Sequence, residues 1–212
     1  MFIGIDLGTS SVKMIIVDYD QNILATADSP VSVQNPKDGY SEQNPEEWIN
    51  ATFECFEVLK TKKPKEFMET IAIGISGQMH GATLIDSSGE VIRPCILWND
   101  TRSYKECEEF ENQNIDVRSI SGNITMPGFT APKINWLKNN EIESFKKIHK
   151  VLLPKDYLRF YLTGDYYSEM SDASGTLWLD IKERKWSEKL LSCSELDICL
   201  LYTSDAADET CR

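Results

Sequence analysis

The sequence predicts an α/β domain of the ribonuclease-H-like kind, with a mixed sheet, three antiparallel N-terminal strands and flanking helices. Three observations carry this expectation. Two apolar runs, residues 2–7 and 12–18, are separated only by a short Gly/Thr/Ser turn, and a third run follows at 23–33. Connections that short make antiparallel neighbours. A helix-start pattern then precedes another apolar strand, and from residue 101 the texture changes to helices and loops.

Taken in order, the polar loop "QNPKDGYSEQNPEE" (34–47) ends in Asn44-Pro45-Glu46-Glu47. That is a cap, a first-turn proline and acids at the positive pole of a helix. Apolar residues at 48, 49, 53, 56 and 59 then keep helical spacing to about Lys60. "TIAIGISGQ" (70–78) reads as a fully apolar strand. "ATLIDSSGEVIRPCILW" (82–98) reads as two strands about the turn Asp86-Ser87-Ser88-Gly89. Helices are expected within 101–113, 131–140, 155–164 and 185–193.

Composition bounds the function. Hydrophobic residues make up 41% and charged residues 26% of 212, an ordinary globular balance. A net charge of −12 argues against nucleic acid as a partner, since a phosphate-backbone binder needs a concentrated basic surface. The cluster "KTKKPK" (60–65) is most simply a helix end and loop, where cations suit the carbonyl pole. Six scattered cysteines without a Cys-x-x-Cys pair, and only two histidines, leave little for a zinc site and fit free thiols in a reducing cytoplasm. Asp6 cuts the N-terminal apolar run after four residues, so no signal peptide is expected. No apolar run approaches the ~20 residues that span a bilayer. A cytoplasmic protein without a membrane partner is expected.

The most informative stretch is "FIGIDLGTSSVKMIIVD" (2–18). A tight strand–turn–strand rich in Gly, Thr and Ser offers N–H groups and hydroxyls to one point, which suits an anion, phosphate above all. Gly8 permits close backbone approach. Thr9, Ser10 and Ser11 add donors without bulk, and Lys13 adds positive charge. Asp6 would repel phosphate unless a divalent cation stands between them, so Asp6 is a candidate Mg²⁺ ligand, direct or through water. The bland alternative is a hairpin with a solvated aspartate. Neither the Walker phosphate loop nor the dinucleotide fingerprint occurs.

"IGIDLGTSSVK" resembles the first phosphate loop of the actin and sugar-kinase superfamily. "GISGQMHGATLID", "PCILWNDTR", "SGNITMPGFTAPKINWL", "VLLPKDYLRFYLTG" and "SDASGTLWLD" resemble, in order, segments of the FGGY carbohydrate kinases, in their bacterial xylulokinase branch. The similarity runs from Phe2 to about Leu196. "GQMHG" and "MPGFTAPK" are specific to that branch; the phosphate loop alone is not.

The resemblance implies an actin-like domain that takes part in moving the γ-phosphoryl of ATP to a sugar hydroxyl, with ATP and Mg²⁺ as cofactors and D-xylulose as substrate. It implies that Asp6 is the metal-linked carboxylate needed for activity, and that Thr9, Ser10, Ser11 and Lys13 face the β/γ-phosphates. Met79 and His80 would contact the ketose, with Gln78 and Trp98 as further candidates. His80 can hydrogen-bond a hydroxyl and Met79 can pack on the carbon skeleton. Without the family, a lone histidine after a strand is more often structural. Trp98-Asn99-Asp100 with Arg102 reads either as a cleft wall or as a helix cap beside a core tryptophan. Gly128, where glycerol-using relatives carry an aromatic, would leave room for a five-carbon substrate. Lys155-Asp156 and Ser171-Asp172 are expected to be caps and salt bridges.

Family members are longer, and their second domain carries the proton-accepting aspartate, the adenine pocket and a second phosphate loop. No acid in this chain matches that base. Residues 1–198 are therefore expected to form the N-terminal domain, inactive alone, and 199–212 ("CLLYTSDAADETCR") to be a non-family tail of artefactual origin. The parent is expected to be a monomer or a homodimer. Another FGGY kinase and a non-catalytic sugar- or nucleotide-binding module are the competing readings.

Overall fold

The structure, a computed structural model, describes residues 1–197. The expectation for the tail 199–212 lies outside the described residues. The chain divides into two compact units, residues 1–33 with 44–78, and residues 34–43 with those from Met79 onward.

In the first unit β1 (Phe2–Leu7), β2 (Ser11–Val17) and β3 (Ile23–Pro30) form the expected antiparallel run. Ile3, Ile5, Leu7, Val12, Met14 and Ile16 alternate along β1 and β2 and are all buried. A short strand β4 (Glu42–Gln43) belongs to the second unit. The helix α1 (Pro45–Lys62) starts as its sequence dictates: Asn44 is the cap and its side chain accepts from the Glu46 amide at 3.1 Å. Trp48, Thr52, Cys55 and Leu59 recur three or four residues apart, are fully buried, and make the face packed on β2 and β3. After α2 (Pro64–Met68), β5 (Ala72–Gly77) joins β1 in parallel, giving the order β3-β2-β1-β5. This is the mixed sheet expected.

One expectation for this unit needs correction. The third strand stops at Pro30 rather than 33, although the Val31 amide still reaches the Ser10 carbonyl at 3.0 Å, one step on in the same register. The apolar run 70–78 forms the expected strand, and among the described residues β5 pairs with β1 alone, leaving Ile71 67% and Ile73 46% exposed.

The second unit is mainly helical. β6 (Thr83–Ile85) and β7 (Cys95–Ile96) do not make a simple hairpin. An antiparallel bridge joins Ile85 to Val91 about the Asp86–Gly89 turn, after which β7 pairs with β4 and β6 with a later strand. α3 (Tyr104–Glu111), α4 (Val117–Ser121), α5 (Thr130–Asn140) and α6 (Ile142–Phe145) follow. Then come β8 (Lys150–Leu152), the partner of β6, and α7 (Pro154–Thr163), which Gly164 ends in the left-handed conformation. α8 (Met170–Ser174), β9 (Leu179–Asp180), β10 (Lys185–Trp186) and α9 (Glu188–Ser192) complete the described chain. The helix expected over 185–193 is thus split, because Lys185 and Trp186 pair with β9 before Ser187 caps α9. Leu84, Phe110, Ile134, Leu137, Trp178 and Leu190 are fully or almost fully buried at the centre of this unit's core.

Lys155 and Asp156 behave as expected of a structural pair: the ammonium lies 2.6 Å from Asp156 and 3.1 Å from Asp172. Asp156 is buried, and burial holds its carboxyl above the usual carboxylate range although Lys155 opposes the shift. The described cysteines 55, 95, 107 and 193 are free, buried thiols. Among the described residues no helix is long and apolar enough to cross a membrane.

Candidate functional site

The sequence-predicted residues fall in two places. In the first unit, the turn between β1 and β2 is closed by the Gly8 amide donating to the Ser11 carbonyl at 3.0 Å. A side chain at Gly8 would meet that same carbonyl oxygen, also at 3.0 Å. Register places Asp6 across from Lys13 on β2 and beside Ser76 on β5, so the three share one face of the sheet. Asp6, Ser10 and Lys13 are exposed, and Thr9 and Ser11 are half-buried.

The parallel pairing of β1 with β5 brings the end of β5 to the same turn. The Gln78 amide donates to the Leu7 carbonyl at 2.8 Å, and the Thr9 hydroxyl donates to the Gln78 side-chain oxygen at 3.1 Å. Gln78 is buried, so the structure ties it to the turn as a support for Thr9. Gly77 permits this approach: a Cβ there would lie 2.8 Å from the Leu7 carbonyl oxygen.

Among the described residues no group of three or more His, Cys, Asp or Glu is placed to hold a metal ion. Asp6 is an exposed carboxylate beside hydroxyls and Lys13, which faces Asp28 on its other side. That donor set fits Mg²⁺, which keeps several waters and takes one or two carboxylates plus phosphate oxygens rather than an all-protein cage.

The second unit holds a cavity of about 420 Å³ lined by Met79, His80, Trp98, Met126, Gly128 and Phe129, among others. Three separate sequence segments build it. Apolar and aromatic walls with few polar groups are the usual make-up of a small-molecule site. Trp98 is 44% exposed, so it is a cavity wall rather than a core residue. Asn99 and Asp100 cap no helix: α3 begins behind Ser103, and Asp100 is buried in an ion pair with Arg102. A side chain at Gly128 would sit 2.5 Å from the Trp98 carbonyl oxygen. The glycine is therefore needed for the approach of two backbone segments, beyond any room it leaves for a ligand.

His80 is the most constrained member. Its φ is +61°, and the Gly81 amide donates to the Met79 carbonyl at 2.8 Å, closing a three-residue turn of the strained kind. The imidazole packs edge-on against Phe129 with ring centroids 4.6 Å apart. Its Nδ1 is buried against the Gly175 backbone, and Gly175 lies so close that a Cβ there would overlap the ring.

Burial, reinforced by the Lys133 ammonium and opposed by the Gly175 backbone, pulls the His80 pKa from 6.5 to about 4. The ring is thus neutral at physiological pH. Between these values the unfolded chain binds more protons than the folded one, so stability should fall as pH drops from 6.5 towards 4. A ring-proton NMR titration should place the His80 midpoint near 4, and a midpoint near 6.5 would mean the ring is solvated.

Lys133 escaped the sequence reading, and the burial of Arg102, named there beside Trp98, was not foreseen. Lys133, fully buried, donates to the carbonyls of His80 at 2.8 Å and Gly128 at 2.6 Å. Arg102, 7% exposed, binds Asp100 through Nε at 2.9 Å and through its terminal nitrogen at 2.7 Å, and Glu42 at 2.6 Å. Its guanidinium stacks on Tyr40, 3.7 Å from the ring centre. The only signal in the sequence was their presence in "WNDTR" and "TAPK"; nothing there marks a charge as buried.

Comparison with known proteins identifies the family. Residues 1–210 match the model of the N-terminal domain of the FGGY family of carbohydrate kinases. A xylulose kinase of Escherichia coli (strain K12) is 47% identical over 196 residues, covering 92% of this chain and 40% of that protein. A xylulose kinase of Bacillus subtilis (strain 168) is 42% identical over 205 residues, covering 93% of this chain and 40% of that protein. A crystal structure of a xyloylose kinase from Brucella ovis superposes with a TM-score of 0.93 at 50% identity, covering 95% of this chain and 42% of that one. The chain thus spans about 40% of the length of the curated relatives it matches. With the mixed sheet, the glycine-closed turn and the His80 cavity in place, the chain belongs to the FGGY family of carbohydrate kinases and carries the family's N-terminal domain.

Proposed function

We propose that the chain is the N-terminal part of a xylulose kinase, which moves the γ-phosphoryl group of ATP to D-xylulose and yields D-xylulose 5-phosphate. The observation that carries this reading is the cavity gathering Met79, His80 and Trp98, the residues that the family resemblance had marked for a sugar. The names of the relatives support the choice of sugar.

In this reading the aromatic and thioether walls pack on the carbon skeleton, and the neutral His80 ring hydrogen-bonds a hydroxyl. Ser10, Ser11 and Lys13, with Thr9 held by Gln78, cradle the phosphates. Asp6 holds Mg²⁺, directly or through water, and the ion supplies charge neutralisation at the phosphate oxygens. Residues 1–198 form the N-terminal actin-like domain of a cytoplasmic enzyme. The aspartate that accepts the hydroxyl proton belongs to the second domain of the full-length enzyme. General-base catalysis is typically worth ~10²–10⁴-fold.

The test is a substrate panel with the full-length protein that carries this chain. Turnover with ATP and Mg²⁺ should be highest for D-xylulose, lower for D-ribulose and lowest for glycerol. Glycerol turnover equal to or above that of D-xylulose would overturn the assignment.

A further inference from the structure

We propose that Lys133 is the positioning residue of the sugar cavity: its buried ammonium ties the His80 turn to the Gly128 segment and so fixes the distance between facing walls. The inference concerns the site proposed above and rests on that reading for its substrate.

The geometry is specific. The His80 carbonyl accepts twice, from Lys133 Nζ at 2.8 Å and from the Thr130 hydroxyl at 3.1 Å. Both donors stand on the first turn of α5, whose Ala131 amide is anchored to the Thr176 carbonyl at 3.0 Å. The second Lys133 bond, 2.6 Å to the Gly128 carbonyl, crosses to the segment that abuts the backbone of Trp98. One cation thus joins three walls: His80 and Gly128 by hydrogen bonds, Trp98 by backbone contact.

The bonds are needed because the conformation is costly. A non-glycine residue at φ +61° in a three-residue turn lies above its relaxed state and persists only where its surroundings hold it. A buried lysine nitrogen donating to two carbonyls is such a hold, and its bonds are about twice as strong when it is protonated, as charge-assisted hydrogen bonds are. Burial draws the lysine down to about 7, with Arg102 adding to the fall and Cys95 and Asp100 opposing it. A lysine serving only as filler would be better replaced by an apolar side chain.

The experiment uses two variants and two readouts. K133M keeps the length and packing of the side chain and removes both donors. T130V removes only the second donor to His80 and keeps the shape. In hydrogen exchange on this chain, K133M should speed exchange of the Gly81 amide by about tenfold or more and T130V by less, with Ile5 and Met14 unchanged. In the full-length enzyme, K133M should raise KM for D-xylulose by about tenfold while leaving KM for ATP within about twofold. Unchanged Gly81 exchange in both variants would overturn the tie. Faster exchange with an unmoved D-xylulose KM would overturn its positioning role. If the wild-type enzyme does not turn over D-xylulose, the substrate reading falls, and the exchange measurement still decides the tie.

Discussion

Arg102→Met is expected to destabilise the chain by about 3–5 kcal/mol, the cost of leaving buried carboxylates uncompensated. Asp100 is 1% exposed, and the Arg102 guanidinium meets both of its oxygens. The same carboxylate accepts the Ser41 amide at 2.6 Å, which fixes the strand-bearing 34–43 segment of the second unit. Glu42 keeps one partner after the change, Arg93 at 2.6 Å, so most of the loss falls on Asp100. Burial works against the arginine's charge, but Asp100 and Glu42 outweigh it and raise its pKa further. The methionine would still fill space between Tyr40 and Trp136, whose rings lie 3.7 and 4.8 Å from the guanidinium carbon. Urea unfolding of R102M should show a lowered midpoint at constant slope. The double variant D100N/R102M should recover much of the loss, because it removes the unpaired charge along with its partner. If R102M alone is neutral, the network does not stabilise the fold.

What the sequence disclosed and what it hid follow one physical line. The β1–β2 turn and the Asn44 cap were legible because neighbours within four residues make them: Gly8 with Ser11, Asn44 with Glu46. Lys133 and Arg102 were illegible because a charged residue reads as a surface residue until its partners are known. The partners of Lys133 include a carbonyl 53 positions away, and those of Arg102 a carboxylate on β4. β5 was legible as a strand but not by its place in the sheet. Its apolar run fixed the strand, but the sheet order that leaves it at an edge is not a local property. Residues 79 and 80 were marked by family likeness alone, and only the structure shows why a histidine follows that strand: the turn holds its ring beside Phe129 and Gly175. Trp98 could be read as wall or core, and its exposure decided for the wall.

Asp6→Asn in the full-length enzyme is expected to lower kcat on the order of 10²–10³-fold, the usual loss when one aimed electrostatic group is removed from a reacting centre. Asparagine keeps the size of the side chain, and the β1 register with Lys13 and Ser76 involves backbone groups that the change does not touch. Only the charge is lost. On the face shared by Asp6, Lys13 and Ser76, Lys13 and the hydroxyls favour phosphate; Asp6 and Asp28 flank Lys13 there and favour a cation, and Asp6 is the one on β1 beside Ser76. KM for D-xylulose should stay within about twofold, because the residues assigned to the sugar lie in the other compact unit. Lys13→Met should behave differently, raising KM for ATP, since a lysine on phosphate contributes to binding in the ground state as well as in the transition state. A D6N enzyme with wild-type kcat would remove Asp6 from the reaction. A D6N enzyme with a raised D-xylulose KM and unchanged kcat would move Asp6 from phosphate chemistry to sugar binding, and the division of labour between the two units would go with it.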